Sequence, residues 1–149
     1  MAELLGIVSA GVGIAAFALQ ITGSINALRE VRKFNQGKAA GELSCLSGRL
    51  ETLRQVLLYI KAFEGHPIVD LMISNCSVTY SGVDVALKRL LAKFPDESTD
   101  RRHRWKLIRL VLSREVKEEI KEIREKITDV TNDLNLCVPA VQVPVRALG

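Results

Sequence analysis

Hydrophobic positions recur along this chain at helical spacing in four stretches, separated by glycine, proline and polar breaks. The first runs from Leu4 to Leu28 without a charged side chain, and from Leu4 to Leu19 it is apolar or small on every side. Beyond it, Ile21, Ile25 and Leu28 keep one face apolar while Arg29, Glu30, Arg32 and Lys33 turn to water, so the helix continues to a stop at Asn35, Gly37 and Gly41. The second stretch, about 42–64, places Leu43, Leu46, Leu50, Leu53, Leu57 and Ile60 at alternating spacings of three and four. Val56 and Phe63 widen that seam to the stripe a bundle interior needs, and Glu51, Arg54 and Lys61 face away. Gly65 closes it and Pro67 fits the first position of a third helix, about 67–94.

In the third helix Val69, Met72, Cys76, Tyr80, Val83, Leu87, Leu90 and Phe94 follow the helical period, and the middle, 74–82, rich in Ser, Thr and Gly, predicts a kink or weak turn. A polar loop, 95–100, ends in good N-cap residues. The fourth helix is expected over about 101–135, its seam running Trp105, Ile108, Leu112, Val116, Ile120, Ile123, Ile127, Val130 and Leu134. After Cys137 the period stops, and Val138 to Gly149, with Pro139 and Pro144, reads as an extended tail. The fold class is therefore all-α: a four-helix bundle over 1–137, with room for a kink or a further short helix, followed by an extended linker. Leu50, Leu53, Leu57, Leu87, Trp105, Leu112 and Ile123 are its expected core, with a membrane-interface role as the alternative for Trp105. A module ending in such a tail is expected to be the front end of a longer protein.

A helix that is apolar all round must be buried in protein or in lipid. Leu4 to Leu19 reaches roughly 24 Å, short of the ~30 Å hydrocarbon core, and its polar continuation extends it to roughly 37 Å. Three states stay open: a buried core helix, a permanent span, and a stored segment able to leave for a membrane. The small-xxx-small pairs Gly6/Ala10, Ser9/Gly13 and Gly11/Ala15 suit the latter two, since they let helix backbones approach closely in lipid. A secretory signal fits poorly, because Glu3 precedes the apolar run and the cations follow it. The run Gly11 to Ala16 matches the outline of a dinucleotide-binding turn, but no second strand with an acidic residue follows, so no cofactor is expected.

Composition adds bounds. At 149 residues and 48% apolar content the chain suits one ordered domain. Cys45, Cys76 and Cys137 are an odd, widely spaced set, expected as reduced thiols of an intracellular protein. His66 and His103 are too isolated for a metal site. The net charge of +4 is concentrated in 86–109, where eight cations face three acids. A basic cluster beside an apolar helix points to anionic lipid, against the alternative of a solvated face paired with the Glu-rich stretch that follows. No aromatic interleaving supports nucleic acid. With no nucleophile–base arrangement, phosphate loop or metal spacing, an enzyme is not expected.

An uncharged Gly/Ala-rich opening helix (Leu4–Leu28), a Leu seam (Leu43–Ile60), a basic run into Trp105 (Arg101–Leu107) and a long charged helix ending at Leu136 together resemble the HeLo-like domains of fungal intracellular receptors and cell-death proteins. Those are similar to the four-helix bundle of the mixed-lineage kinase-like pseudokinase of necroptosis. The resemblance covers about 1–137 and implies membrane permeabilisation after oligomerisation, in a cytoplasmic protein that relocates to the plasma membrane. It would assign insertion to Leu4, Leu5, Ile7, Val8, Val12, Ile14, Phe17 and Leu19, and helix contact in lipid to Gly6, Ala10, Gly11 and Gly13. Headgroup contact would fall to Arg101, Arg102, Arg104 and Lys106, with anionic lipids and further copies of the chain as partners. No amyloid motif is evident in 138–149. The rival expectation is a homotypic interaction module whose first helix never leaves the core.

Overall fold

The structure, a computed structural model, describes the backbone of residues 2–95, 99–111 and 113–148, and the side chains of 13–95, 99–111 and 113–139. Within these residues the chain forms α1 (Ala2–Arg32), α2 (Gly37–Ile60), α3 (Pro67–Leu91), α4 (Arg101–Val111) and α5 (Arg114–Leu148), with a 3-10 turn over Lys61–Phe63. The all-α bundle expected from the periodicity is the fold.

Long-range side-chain contacts set the directions of the helices. Gly13 lies against Ile73, whose Cγ2 is 3.7 Å from where a Cβ would stand. The Phe17 and Tyr80 rings sit 5.3 Å apart, Ser24 bonds Asp84 at 3.3 Å, and Asn35 bonds the Pro95 carbonyl at 3.0 Å. The partners advance together, so α1 and α3 run parallel. Arg32 at the end of α1 donates to Ser44 in α2 at 2.7 Å, as an antiparallel hairpin requires. Lys93, just past α3, pairs with Glu119 near the start of α5, making that pair antiparallel too. α1 and α5 each pack on both α2 and α3, leaving α2 and α3 diagonally opposite.

Local chemistry explains the boundaries. The Asn35 amide donates to the Val31 carbonyl at 2.7 Å as well as to Pro95, so this buried side chain closes α1 and ties the turn to the end of α3. Gly37 opens α2 at φ 64°, a left-handed value that favours glycine. Gly65, at φ 92°, makes the turn into α3, where His66 Nδ1 accepts from Ile68 N at 3.2 Å and Pro67 takes the first turn. No break interrupts α3 at 74–82; the hydroxyls of Thr79 and Ser81 return to the carbonyls four residues back instead of competing with the helix.

The core is one layer of side chains between the four long helices. Ile14, Phe17, Ile21, Ile25 and Leu28 from α1 meet the whole α2 seam, Leu43 to Ile60, and α3 adds Val69, Ile73, Cys76, Tyr80, Val83, Leu87 and Leu90. Val116, Ile120, Ile123, Ile127, Val130, Leu134 and Cys137 from α5 complete it. Leu50, Leu53, Leu57, Leu87 and Ile123 are among the buried positions, while Leu112 lies outside the described residues.

Three further expectations are corrected. The fourth stretch is two helices, because Ser113 accepts from Val116 N at 3.3 Å through its hydroxyl and starts α5 as a new N-cap. Trp105 is not a core anchor but 71% exposed. The break frees α4 to turn its Arg104, Leu107, Ile108 and Val111 side inward, out of phase with the seam through Trp105 and Leu112. The segment after Cys137, expected to be extended, continues α5 to Leu148. Pro139 and Pro144 each lack an N–H donor and crowd the carbonyl four residues back, so they weaken this last stretch of α5.

Candidate membrane- and partner-facing surface

Helix α1 divides its described apolar residues between two sides. Ile14, Phe17, Ile21, Ile25 and Leu28 point into the core. Ala15, Ala16, Leu19, Gly23, Asn26 and Ala27 are exposed, with Leu19 at 71%, and the first charged side chain on that outer side is Arg29. Of the side chains assigned to insertion, Ile14 and Phe17 are therefore core and Leu19 is surface. Leu4, Leu5, Ile7, Val8 and Val12 lie outside the described side chains, as do Gly6, Ala10 and Gly11. Gly13 is half-buried against α3.

The parallel neighbour α3 repeats the pattern, which the chain order did not suggest. Its exposed positions from Leu71 to Val85 are Leu71, Ser74, Asn75, Val78, Thr79, Ser81, Gly82 and Val85, none charged. Leu71, Val78 and Val85 recur every seven residues, and Val78 is 75% exposed. The signal was present in the sequence: no charge occurs between Asp70 and Asp84, and the stripe sits opposite Val69, Cys76 and Val83. Between Ala15 and Ala27 and between Leu71 and Val85 the two helices thus expose no charge, whereas α2 exposes Lys38 and Arg49, and α5 exposes Lys117, Glu118, Lys121, Glu122, Glu125 and Lys126.

Where α1 meets α3, a hydrogen-bonded pair of hydroxyls is buried. The Tyr80 hydroxyl donates to Ser24 Oγ at 2.7 Å, and the Ser24 hydroxyl can donate to the Gln20 carbonyl at 3.2 Å or to Asp84. Burial pushes the Tyr80 phenol up to about 12, against the opposing effect of the Ser24 bond. Desolvation likewise pushes the Cys76 thiol up to about 12, with Asp133 and Cys137 adding to it, so a thiolate is disfavoured there. Cys137 is raised by burial too, and Cys45 alone of the three cysteines is exposed.

α4 brings the predicted cations together. Arg101, Arg102, Lys106 and Arg109 are exposed, Arg104 is half-buried, and no acidic residue lies between Arg101 and Val111. Arg101, Trp105 and Arg109 stand four residues apart, and Arg102 is three from Trp105, so these arginine positions share one side of the helix with the exposed indole. Asp100 caps this helix by accepting from His103 N at 2.8 Å; with the His103 ring 2.7 Å away, these bonds hold its carboxyl below the usual range. A short basic helix with a protruding tryptophan has the chemistry of an anionic interface: charge attraction plus an amphipathic ring suited to headgroup depth.

Among the described residues no helix is long and apolar enough to cross a membrane, and no group of three metal-ligating side chains occurs. No family model, no curated protein and no solved structure matches the chain.

Proposed function

We propose that this chain is a self-associating helical bundle that perturbs anionic membranes, as a cell-death execution domain of the HeLo-like kind would. The observation that carries the reading is the two-sided apolar character of α1, with Phe17 in the core and Leu19 on the surface. Such a helix has affinity for a second apolar host beyond its own bundle.

Magnitudes limit how it acts. Withdrawing Ile14, Phe17, Ile21, Ile25 and Leu28 would re-expose five large side chains, each worth about 1.5–3 kcal/mol, or roughly 8–15 kcal/mol in all. That rivals the whole stability of a domain, about 5–15 kcal/mol. The described part of α1 therefore stays as an anchor, and the insertion-competent segment is the one preceding Gly13. Ala2 to Val12 is roughly 16 Å of helix, about half the hydrocarbon thickness. One copy cannot span, so several copies must cluster, and shallow wedging of one leaflet is the expected mode. The α4 cations would hold the bundle at the surface, each contributing about 1 kcal/mol near anionic headgroups.

Leakage of dye from anionic vesicles tests this reading. Val12→Glu should abolish leakage while circular dichroism and the unfolding midpoint stay at wild-type values. Undiminished leakage by that folded variant would overturn the insertion role. A second reading, a homotypic interaction module without membrane activity, is favoured by the heptad-spaced Leu71, Val78 and Val85 stripe. It predicts concentration-dependent self-association that Val78→Lys removes, with no vesicle co-sedimentation at any lipid composition.

A further inference from the structure

The turn from α1 into α2 lies beneath α4, and between them is a cleft of about 490 Å³. Phe34, Ala39, Ile108 and Val111 supply apolar walls, while Lys38 and Arg104 supply cations. That volume lies within the range of small-molecule sites, which are mostly apolar with a few converging polar groups.

Three further observations give the cleft a preference for negative charge. Arg104 Nε is sealed from solvent and has no hydrogen-bond acceptor, so a donor lies idle on a cleft-lining side chain. The cleft also borders the start of α2, where the cap residue Gln36 makes no side-chain bond to the helix and the first turn holds no acid. The free N–H groups of that turn keep their partial positive charge. Among the described lining residues none is acidic.

We propose that this cleft binds a single-chain anionic amphiphile, its phosphate or carboxylate head held by Arg104, Lys38 and the first-turn amides of α2, its chain on Phe34, Ala39, Ile108 and Val111. Guanidinium and helix N-terminus are both suited to oxyanions, and the apolar walls exclude a fully hydrated ion as the best occupant. Such binding is separate from membrane perturbation, since its ligand is a monomer in solution.

Isothermal titration of the full chain with decyl phosphate below its critical micelle concentration tests it, alongside inorganic phosphate and the uncharged decyl maltoside. Decyl phosphate should bind roughly tenfold or more tightly than either. Arg104→Gln should weaken decyl phosphate roughly tenfold. Ala39→Leu, which fills the floor of the cleft, should weaken it without changing the response to inorganic phosphate. Equal affinity for all three ligands would overturn the proposal, and so would wild-type affinity in Arg104→Gln. Circular dichroism identifies a misfolded Ala39→Leu protein, in which case the affinity of Arg104→Gln alone decides the matter. Vesicle leakage does not enter the measurement, so failure of either proposal leaves the other to be judged separately.

Discussion

The bundle has two outsides. Along α1 and α3 the exposed positions from Ala15 to Ala27 and from Leu71 to Val85 are apolar or neutral, whereas α5 exposes a dense alternation of Lys, Arg, Glu and Asp from Arg114 to Asp133. All four long helices bury apolar inner faces, so stability does not require the difference. Exposed charges contribute little to folding, but they keep a surface solvated and free of partners. Withholding them from two parallel, adjacent helices leaves a side that a bilayer or a second copy can cover, and the α5 side cannot serve that purpose without desolvating many ions.

Substitutions can break or sharpen this contrast, beginning with the largest effect. Phe17→Ala should lower the unfolding free energy by about 3–5 kcal/mol in denaturant titration. Leu19→Ala, two residues away, should stay within about 0.5 kcal/mol of wild type. A comparable loss from both would mean that α1 has no outer side.

Alkaline pH probes the seam between α1 and α3. The Tyr80 phenol titrates near 10 when unfolded and at about 12 when folded, so its contribution is complete below pH 10 and is lost as pH rises through 12. The loss is on the order of 2–3 kcal/mol, and it should vanish from the pH profile of Tyr80→Phe. Ser113→Ala removes the cap that separates α4 from α5 and should cost about 1 kcal/mol, read as a lower thermal midpoint.

The smallest stability effects are the most telling for function. Val78→Lys on the neutral side and Lys121→Gln on the charged side should each leave stability within about 0.5 kcal/mol. Only Val78→Lys should change sedimentation velocity or vesicle binding, and an equal response from Lys121→Gln would erase the distinction between the sides.

Much of the bundle was legible because its seams are periodic. Leu43 to Ile60 at threes and fours allowed only one buried face, and the structure buries all six. Phase, by contrast, was lost where a helix ended. Trp105 and Leu112 continued the apparent seam only if α4 and α5 were one helix, and the Ser113 cap followed by Glu115 in the first turn was the available sign that they are not. The α3 outer stripe was harder to read because Ser74, Asn75, Thr79 and Ser81 separate its large apolar residues. The cleft under α4 was illegible in principle, since Lys38 and Arg104 meet only through the packing of separated segments.

The Ser24–Tyr80 bond inside α1 and the Asn35–Pro95 bond in the turn just past it lie eleven residues apart, and both tie this arm of the chain to α3 or the segment that follows it. A piston stroke of α1 by a single turn, about 5.4 Å, would strand both pairs together. Such a keyed rod resists sliding, so the register between α1 and α3 is set by two polar locks as well as by apolar packing.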